Sequence, residues 1–335
     1  AGCAIGCGNV WKFPWMCGQN GGGSFMLIYV ICLIVLGLPA MIMEFSVGRA
    51  AQTSPLYMYR KLSGGRGKWN LWGIVCLIGN IALIAFYAVV SGWILYYFVK
   101  FLTGQNQDFG FEKMITTPSV NVTYLLVTLL IAFAILSFHL QGGLERITKY
   151  MMSALIVLML VLAVHSFTLP GAGEGLSFYL IPHFSKITGS VVVGAMNQAF
   201  FTLSLGIGAM AIFGSYIGKE HTLLGESLRI VILDTFVAIF RSYIGKDRSL
   251  MGESIHIIIL DTLVAVIAGI IIFPACFTYD VEVTAGPSLL FDTMATVFNN
   301  MAGGRWWGTL FFLFMVFAAM STVLAVFENI ICCGM

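Results

Sequence analysis

The chain has 335 residues, of which 59% are hydrophobic and 10% charged, with a formal net charge of +2; its mean hydropathy is +0.95. A soluble domain carries roughly 25% charged residues, so this composition excludes an ordinary water-soluble globule, and no basic stripe marks a nucleic-acid surface. A backbone inside lipid must satisfy its polar groups within helices or a closed barrel. A barrel shows segments of about 10 residues with alternating polarity, whereas this chain shows long unbroken apolar runs. It therefore reads as an all-α polytopic membrane protein, with 1–335 forming one transmembrane domain. The eight cysteines lie nearly all within apolar runs and make no CxxC pair with zinc spacing. There is no signal peptide and no initiator Met, and the sequence opens inside an apolar Gly-rich motif, so its start is expected further upstream.

A crossing helix needs about 20 apolar residues. In chain order the runs are 1–17 (partial), 24–48, 71–101, 121–140, 148–168, 191–213, 255–278 and 306–334, giving eight spans. The loop after span 2 carries Arg49, Arg60, Lys61, Arg66 and Lys68 without an acid, which places it in the cytoplasm by the excess of basic residues there. The loops with Arg146 and Lys149, and with Lys219, Arg229, Arg241, Lys246 and Arg248, fall on the same side. The segments 102–120, 169–190 and 279–305 become outer loops, and the N-terminus lies inside.

Two spans carry helix-weakening glycines: Gly2, Gly6 and Gly8 in span 1, Gly206 and Gly208 in span 6. Each costs about 1 kcal/mol in a helix interior relative to Ala. Small residues also serve close helix packing. Because the two spans stand five apart, the pairing points to discontinuous helices at matching positions of two repeats, with a binding site at the midplane. Residues 214–240 and 241–267 form a tandem duplication, aligned without gaps and identical at most positions. The second copy runs into 268–274 and completes span 7; the first is too short to cross and reads as a cytoplasmic insertion.

Charges inside apolar runs are expensive and mark functional sites. Lys12, Glu44, Asp261 and Glu328 are such residues. Lys12, Glu44 and Glu328 lie near helix ends, within reach of the interface; Asp261 does not. Thr202, Ser204, Ser321 and Thr322 add hydroxyls near the breaks. Ser321 and Thr322 can also bond back to their own helix carbonyls. Carbonyls, an Asn amide, hydroxyls and a carboxylate together suit a hard monovalent cation such as sodium.

The run Ala4-Ile5-Gly6-Cys7-Gly8-Asn9-Val10-Trp11-Lys12-Phe13-Pro14 resembles the first-helix signature of the neurotransmitter:sodium symporters. Asn20-Gly21-Gly22-Gly23-Ser24-Phe25, Glu44-Phe45-Ser46-Val47-Gly48-Arg49 and Gln198-Ala199-Phe200-Phe201-Thr202-Leu203-Ser204-Leu205-Gly206 are similar to further motifs of that family. The resemblance covers all but the duplicated insertion. It implies an inverted-repeat transporter fold with broken helices 1 and 6, here with helices 1–8 and an incomplete second repeat. It implies a first sodium site at Ala4, Asn9, Thr202 and Asp261, and a second at Gly2, Ile5, Ala318, Ser321 and Thr322. It implies a substrate pocket at Cys3, Cys7, Gly8, Leu83, Tyr87, Phe201, Ser204, Ile207 and Val326, with Tyr87 holding the substrate carboxylate and Phe201 as the outer lid.

Asp261 stands where many members carry Asn. A fixed carboxylate there, with Glu44, supplies charge compensation that other members take from chloride. The expected activity is sodium-coupled, chloride-independent symport of a neutral, hydrophobic or aromatic amino acid by alternating access. The expected setting is a prokaryotic inner membrane, with sodium ions, a small amino acid and the bilayer as partners. Cys3 departs from the residue that helps hold the substrate amine, and Lys12 replaces the usual Arg of the outer gate, which removes a bidentate fork. A non-transporting fragment or degenerate relative of the same family is the alternative, suggested by the duplication and the helices expected beyond 335. An enzyme is not expected: the five histidines form no HExxH motif, and no GxSxG occurs.

Overall fold

Apolar runs of this length have nowhere to put their backbone groups except into their own helices, and among the described residues every regular element is helical. The structure, a computed structural model, describes residues 6, 8–107, 110–137, 145–215, 250–281 and 287–334. Most of the duplicated segment, including Asp234 and all of the first copy beyond Ser215, lies outside them, as do Gly2, Cys3, Ala4, Ile5 and Cys7.

A π-helical turn, Gly8–Lys12, leads into α1 (Phe13–Gln19), with Pro14 in its first turn. α2 (Gly23–Ala51) crosses in one piece but widens to a π-helix at Leu33–Gly37. The cause is local: Pro39 has no N–H to give the carbonyl four residues back, and its ring crowds that carbonyl. The amphipathic α3 (Pro55–Leu62) follows, then α4 (Asn70–Thr103). At 34 residues α4 is about 51 Å long, well beyond the roughly 30 Å hydrocarbon core, so it tilts or projects. α5 (Phe111–Ile115), α6 (Pro118–Ser137), α7 (Glu145–Ser166) and α8 (Ala172–Leu180) come next.

Span 6 is two helices, α9 (Gly189–Thr202) and α10 (Ala209–Ser215), joined by a turn over 203–208. Ser204, Gly206 and Gly208 have φ of 52°, 88° and 77°; two of the three positions take the residue that adopts this region without a Cβ clash. α11 (Leu250–Tyr279) is span 7 and contains Asp261 of the second copy. A π segment, Leu289–Met294, enters α12 (Ala295–Asn300), and α13 (Gly304–Gly334) is span 8. Among the described residues, six helices are long and apolar enough to cross a membrane: α2, α4, α6, Thr148–Ser166 of α7, Ile257–Tyr279 of α11 and Gly304–Cys333 of α13. With the two broken spans these account for the eight apolar runs. The segments 102–120, 169–190 and 279–305 carry short helices, α5, α8 and α12, which the apolar pattern alone does not announce.

The buried apolar side chains form two principal clusters. One joins α4, α6, α7 and α13 with α12. The other joins α1, α2, α8, α9 and α10. The Val10–Trp11 turn and α11 contribute to the boundary: α11 gives Val264, Ile267 and Ile271 to the first cluster, and Ile257, Ile258, Ala265 and Phe273 to the second. Within the second group α2 and α10 touch backbone to backbone. A Cβ at Gly48 would strike the Ala211 carbonyl, and one at Gly214 the Phe45 carbonyl. Small residues allow such an approach in membranes.

Candidate functional site

The breaks face each other at the boundary of the two groups. Asn9, just past the span 1 glycines, donates its amide to Asp261 Oδ1 at 2.5 Å. Thr202, the last residue of α9, donates its hydroxyl to Asn9 Oδ1. All three are at most 3% exposed. A carboxylate this deep in an apolar interior is costly unless hydrogen-bonded, and Asn9 supplies the bond. Three groups expected at the first sodium site thus meet from three separate helical segments. Ala4, the fourth, lies outside the described residues.

At the expected second site, Ser321 donates to the Ala318 carbonyl at 2.9 Å and Thr322 to the same carbonyl at 3.4 Å. All three residues are buried. The hydroxyls do bond back to their helix, and the same geometry gathers three oxygens on one face of α13. Gly6 of span 1 lies directly against this face, since a Cβ there would collide with Thr322 Oγ1.

One cavity of about 20 Å³ joins these sets. It is lined by Gly6, Gly8, Asn9, Tyr87, Phe201, Thr202, Ser204 and Thr322. Of the expected pocket residues, Gly8, Tyr87, Phe201 and Ser204 therefore share a cavity with ligands of both expected sodium sites. Leu83, Ile207 and Val326 are not in its lining; Val326 is buried in α13, and Ile207 turns toward α4. Above the cavity Lys12 Nζ stands 3.5 Å from the Phe201 ring centroid, a cation–π contact. The lysine expected at the outer gate thus contacts the ring expected to act as the lid.

Glu44 sits elsewhere. Its Oε1 accepts the Gly208 N–H at 3.0 Å, where the break ends and α10 begins. The first N–H groups of a helix have no partner within it, and a carboxylate suits that positive end. In this arrangement Glu44 serves the backbone of the break rather than hydrogen-bonding with Asn9 and Asp261.

Two side chains beside the first cluster escaped the reading of the sequence as site residues. The Tyr29 hydroxyl lies near Thr202 and Asp261 without hydrogen-bond geometry to either. Gln198, one turn before Thr202, is fully buried with neither amide atom hydrogen-bonded. A buried polar group is ordinarily paired, so both are out of the ordinary. Gln198 was visible as part of a motif. Tyr29 had only its place in an apolar run, where Tyr reads as packing.

Discontinuous helices meeting at oxygen-rich, buried positions within a helical membrane bundle define a secondary transporter. The family model of the sodium:neurotransmitter symporter family matches residues 1–107 and 105–335, and the chain belongs to that family. It is 34% identical over 342 residues to the sodium-dependent transporter YhdH of Bacillus subtilis, covering 99% of this chain and 69% of that protein. It is 30% identical over 347 residues to a sodium-dependent transporter of Haemophilus influenzae, covering 99% and 70%. Among solved structures it is similar to MhsT in complex with L-phenylalanine, with a TM-score of 0.81, 32% identity, and coverage of 98% of this chain and 70% of MhsT. The chain is a multi-pass membrane protein of a family of sodium-dependent transporters, and sodium is the coupling ion.

Proposed function

We propose that this chain carries a neutral amino acid with a hydrophobic or aromatic side chain, together with sodium and without need of chloride, by alternating access. The observation that carries the reading is the single cavity lined at once by Asn9 and Thr202, by Thr322, and by Gly8, Tyr87, Phe201 and Ser204. Binding one cargo there organises the walls that bind the other. MhsT, similar in fold and sequence, was solved with L-phenylalanine, which favours an apolar or aromatic substrate.

Tyr87 offers a hydroxyl to the substrate carboxylate. Asn9, Thr202 and Asp261 hold one sodium ion, while Ala318, Ser321 and Thr322 hold a second from α13. Phe201 closes the outer side, steadied by Lys12. The Asp261 carboxylate balances charge brought in by sodium, with Glu44 adding negative charge at the break. The basic loop after α2 orients the chain with its N-terminal side in the cytoplasm of a prokaryotic cell.

The test is binding of radiolabelled phenylalanine, leucine, tyrosine and tryptophan to purified chain, in sodium or potassium, with chloride or gluconate. Saturable binding that needs sodium and ignores chloride is expected. Binding in potassium, or a chloride requirement, overturns the coupling or the charge assignment. No binding to well-folded chain favours a non-transporting relative.

A further inference from the structure

Asn80 lies in the apolar run of α4, 3% exposed, and Asn329 near the end of α13, 2% exposed. Asn80 Nδ2 donates to the Cys76 carbonyl at 2.7 Å and to the Ile207 carbonyl at 2.8 Å. Asn80 Oδ1 accepts from Asn329 Nδ2 at 2.8 Å. The orientation is forced: both carbonyls only accept, so the NH₂ group must face them and the oxygen must face Asn329. Cys76 Sγ adds a weak bond to the Gly206 carbonyl at 3.7 Å. Glu44 takes the Gly208 N–H.

Unwinding 203–208 frees carbonyls that lipid cannot satisfy. The Ile207 carbonyl finds its partner across the boundary, since α4 and α13 belong to one packing group and the break belongs to the other. Ser204, which lines the cavity, lies three residues before Ile207 on the same turn. The direction of the Ile207 peptide therefore helps set the cavity wall.

We propose that Asn80 is a positioning residue for substrate binding, pinning the span 6 break to α4 through the Ile207 carbonyl, and that Asn329 acts through it by holding the Asn80 amide in register. Neither touches the substrate. Asn80→Ala releases the break; Asn329→Ala leaves the bond to Ile207 but frees the amide to rotate. Because Asn329 works through Asn80, its removal adds nothing once Asn80 is gone.

The experiment is hydrogen–deuterium exchange of the 204–208 amides in purified full chain in sodium, for wild type, Asn80→Ala, Asn329→Ala and the double variant, with phenylalanine and sodium affinities measured in parallel. About tenfold faster exchange in Asn80→Ala is expected, corresponding to about 1.4 kcal/mol, with a smaller rise in Asn329→Ala and a double variant no faster than Asn80→Ala. Phenylalanine affinity should fall about tenfold while sodium affinity holds within about twofold. Unchanged exchange in folded Asn80→Ala overturns the proposal, as does a double variant whose effects add, or equal losses of both affinities. If Asn80→Ala does not fold, exchange in Asn329→Ala decides: a rise confined to 204–208 supports the proposal, and none overturns it. The phenylalanine arm rests on the amino-acid reading above. The exchange arm does not, so wild-type chain that fails to bind phenylalanine overturns that reading and leaves the positioning proposal decided by exchange.

Discussion

Asn9, Thr202 and Asp261 reach one another across separations of 193 and 252 residues, whereas Ala318, Ser321 and Thr322 occupy little more than one turn of α13. The first cluster exists only when three helical segments have packed. The second exists as soon as one helix has formed, because its hydroxyls bond their own backbone. A site of the first kind reports the state of the whole bundle; one of the second kind is a fixed surface waiting for span 1 to lie against it. Perturbations should therefore cost most at the first cluster.

The largest effect is expected at Asp261. Replacing it with Ala removes the carboxyl acceptor of Asn9, and sodium affinity measured by isotope binding should fall about 100-fold, equal to about 3 kcal/mol. Asp261→Asn should weaken sodium binding or make transport chloride-sensitive, while Asp234→Asn does neither. Damage from Asp234→Asn instead would break the assignment of span 7 to the second copy. Next comes Gly8→Ala. Its Cβ would stand 2.7 Å from Phe201 Cε1, and overpacking of this kind costs about 1–3 kcal/mol. Substrate affinity should drop with sodium binding kept, and trimming the lid with Phe201→Leu should restore it. Restoration failing would show that the glycine serves the backbone and not the ring.

A smaller loss is expected from Thr322→Ala, about threefold to tenfold in sodium affinity, with thermal stability nearly unchanged because the helix keeps its own ladder. A loss as large as that of Asp261→Ala would erase the contrast between the clusters. The smallest concerns Lys12. Lys12→Arg keeps a cation over the Phe201 ring and should be near neutral; Lys12→Leu forfeits a contact of about 0.5–2 kcal/mol, readable as faster substrate release in a dissociation assay.

Length and apolarity made the six long crossing helices legible, because lipid leaves a backbone no alternative to helices. The two breaks were legible from Gly206, Gly208 and the span 1 glycines. Residues of the first cluster came through the resemblance rather than through spacing, which cannot bring positions 9 and 261 together. The loop helices α5, α8 and α12 stayed hidden because they are short and lack a strong period. The π-helix at Leu33–Gly37 had its cause in plain view at Pro39, but a proline alone predicts a disturbance and not its form. Asn80 and Asn329 were the clearest omission: each is a single amide in an apolar helix. Reading intramembrane polarity only through charges passed over uncharged groups that lipid penalises as well.

The reciprocal glycine contacts between α2 and α10 have a mechanical meaning. The described part of α10 is Ala209–Ser215. With Gly48 under Ala211 and Gly214 under Phe45, its backbone is pressed to that of α2 over these described residues. The second half of span 6 is thus held to α2, and the turn at 203–208 joins it to the first half, which packs against the same helix. A displacement of α2 would therefore reach the cavity wall at Ser204 through the backbone of the turn at 203–208.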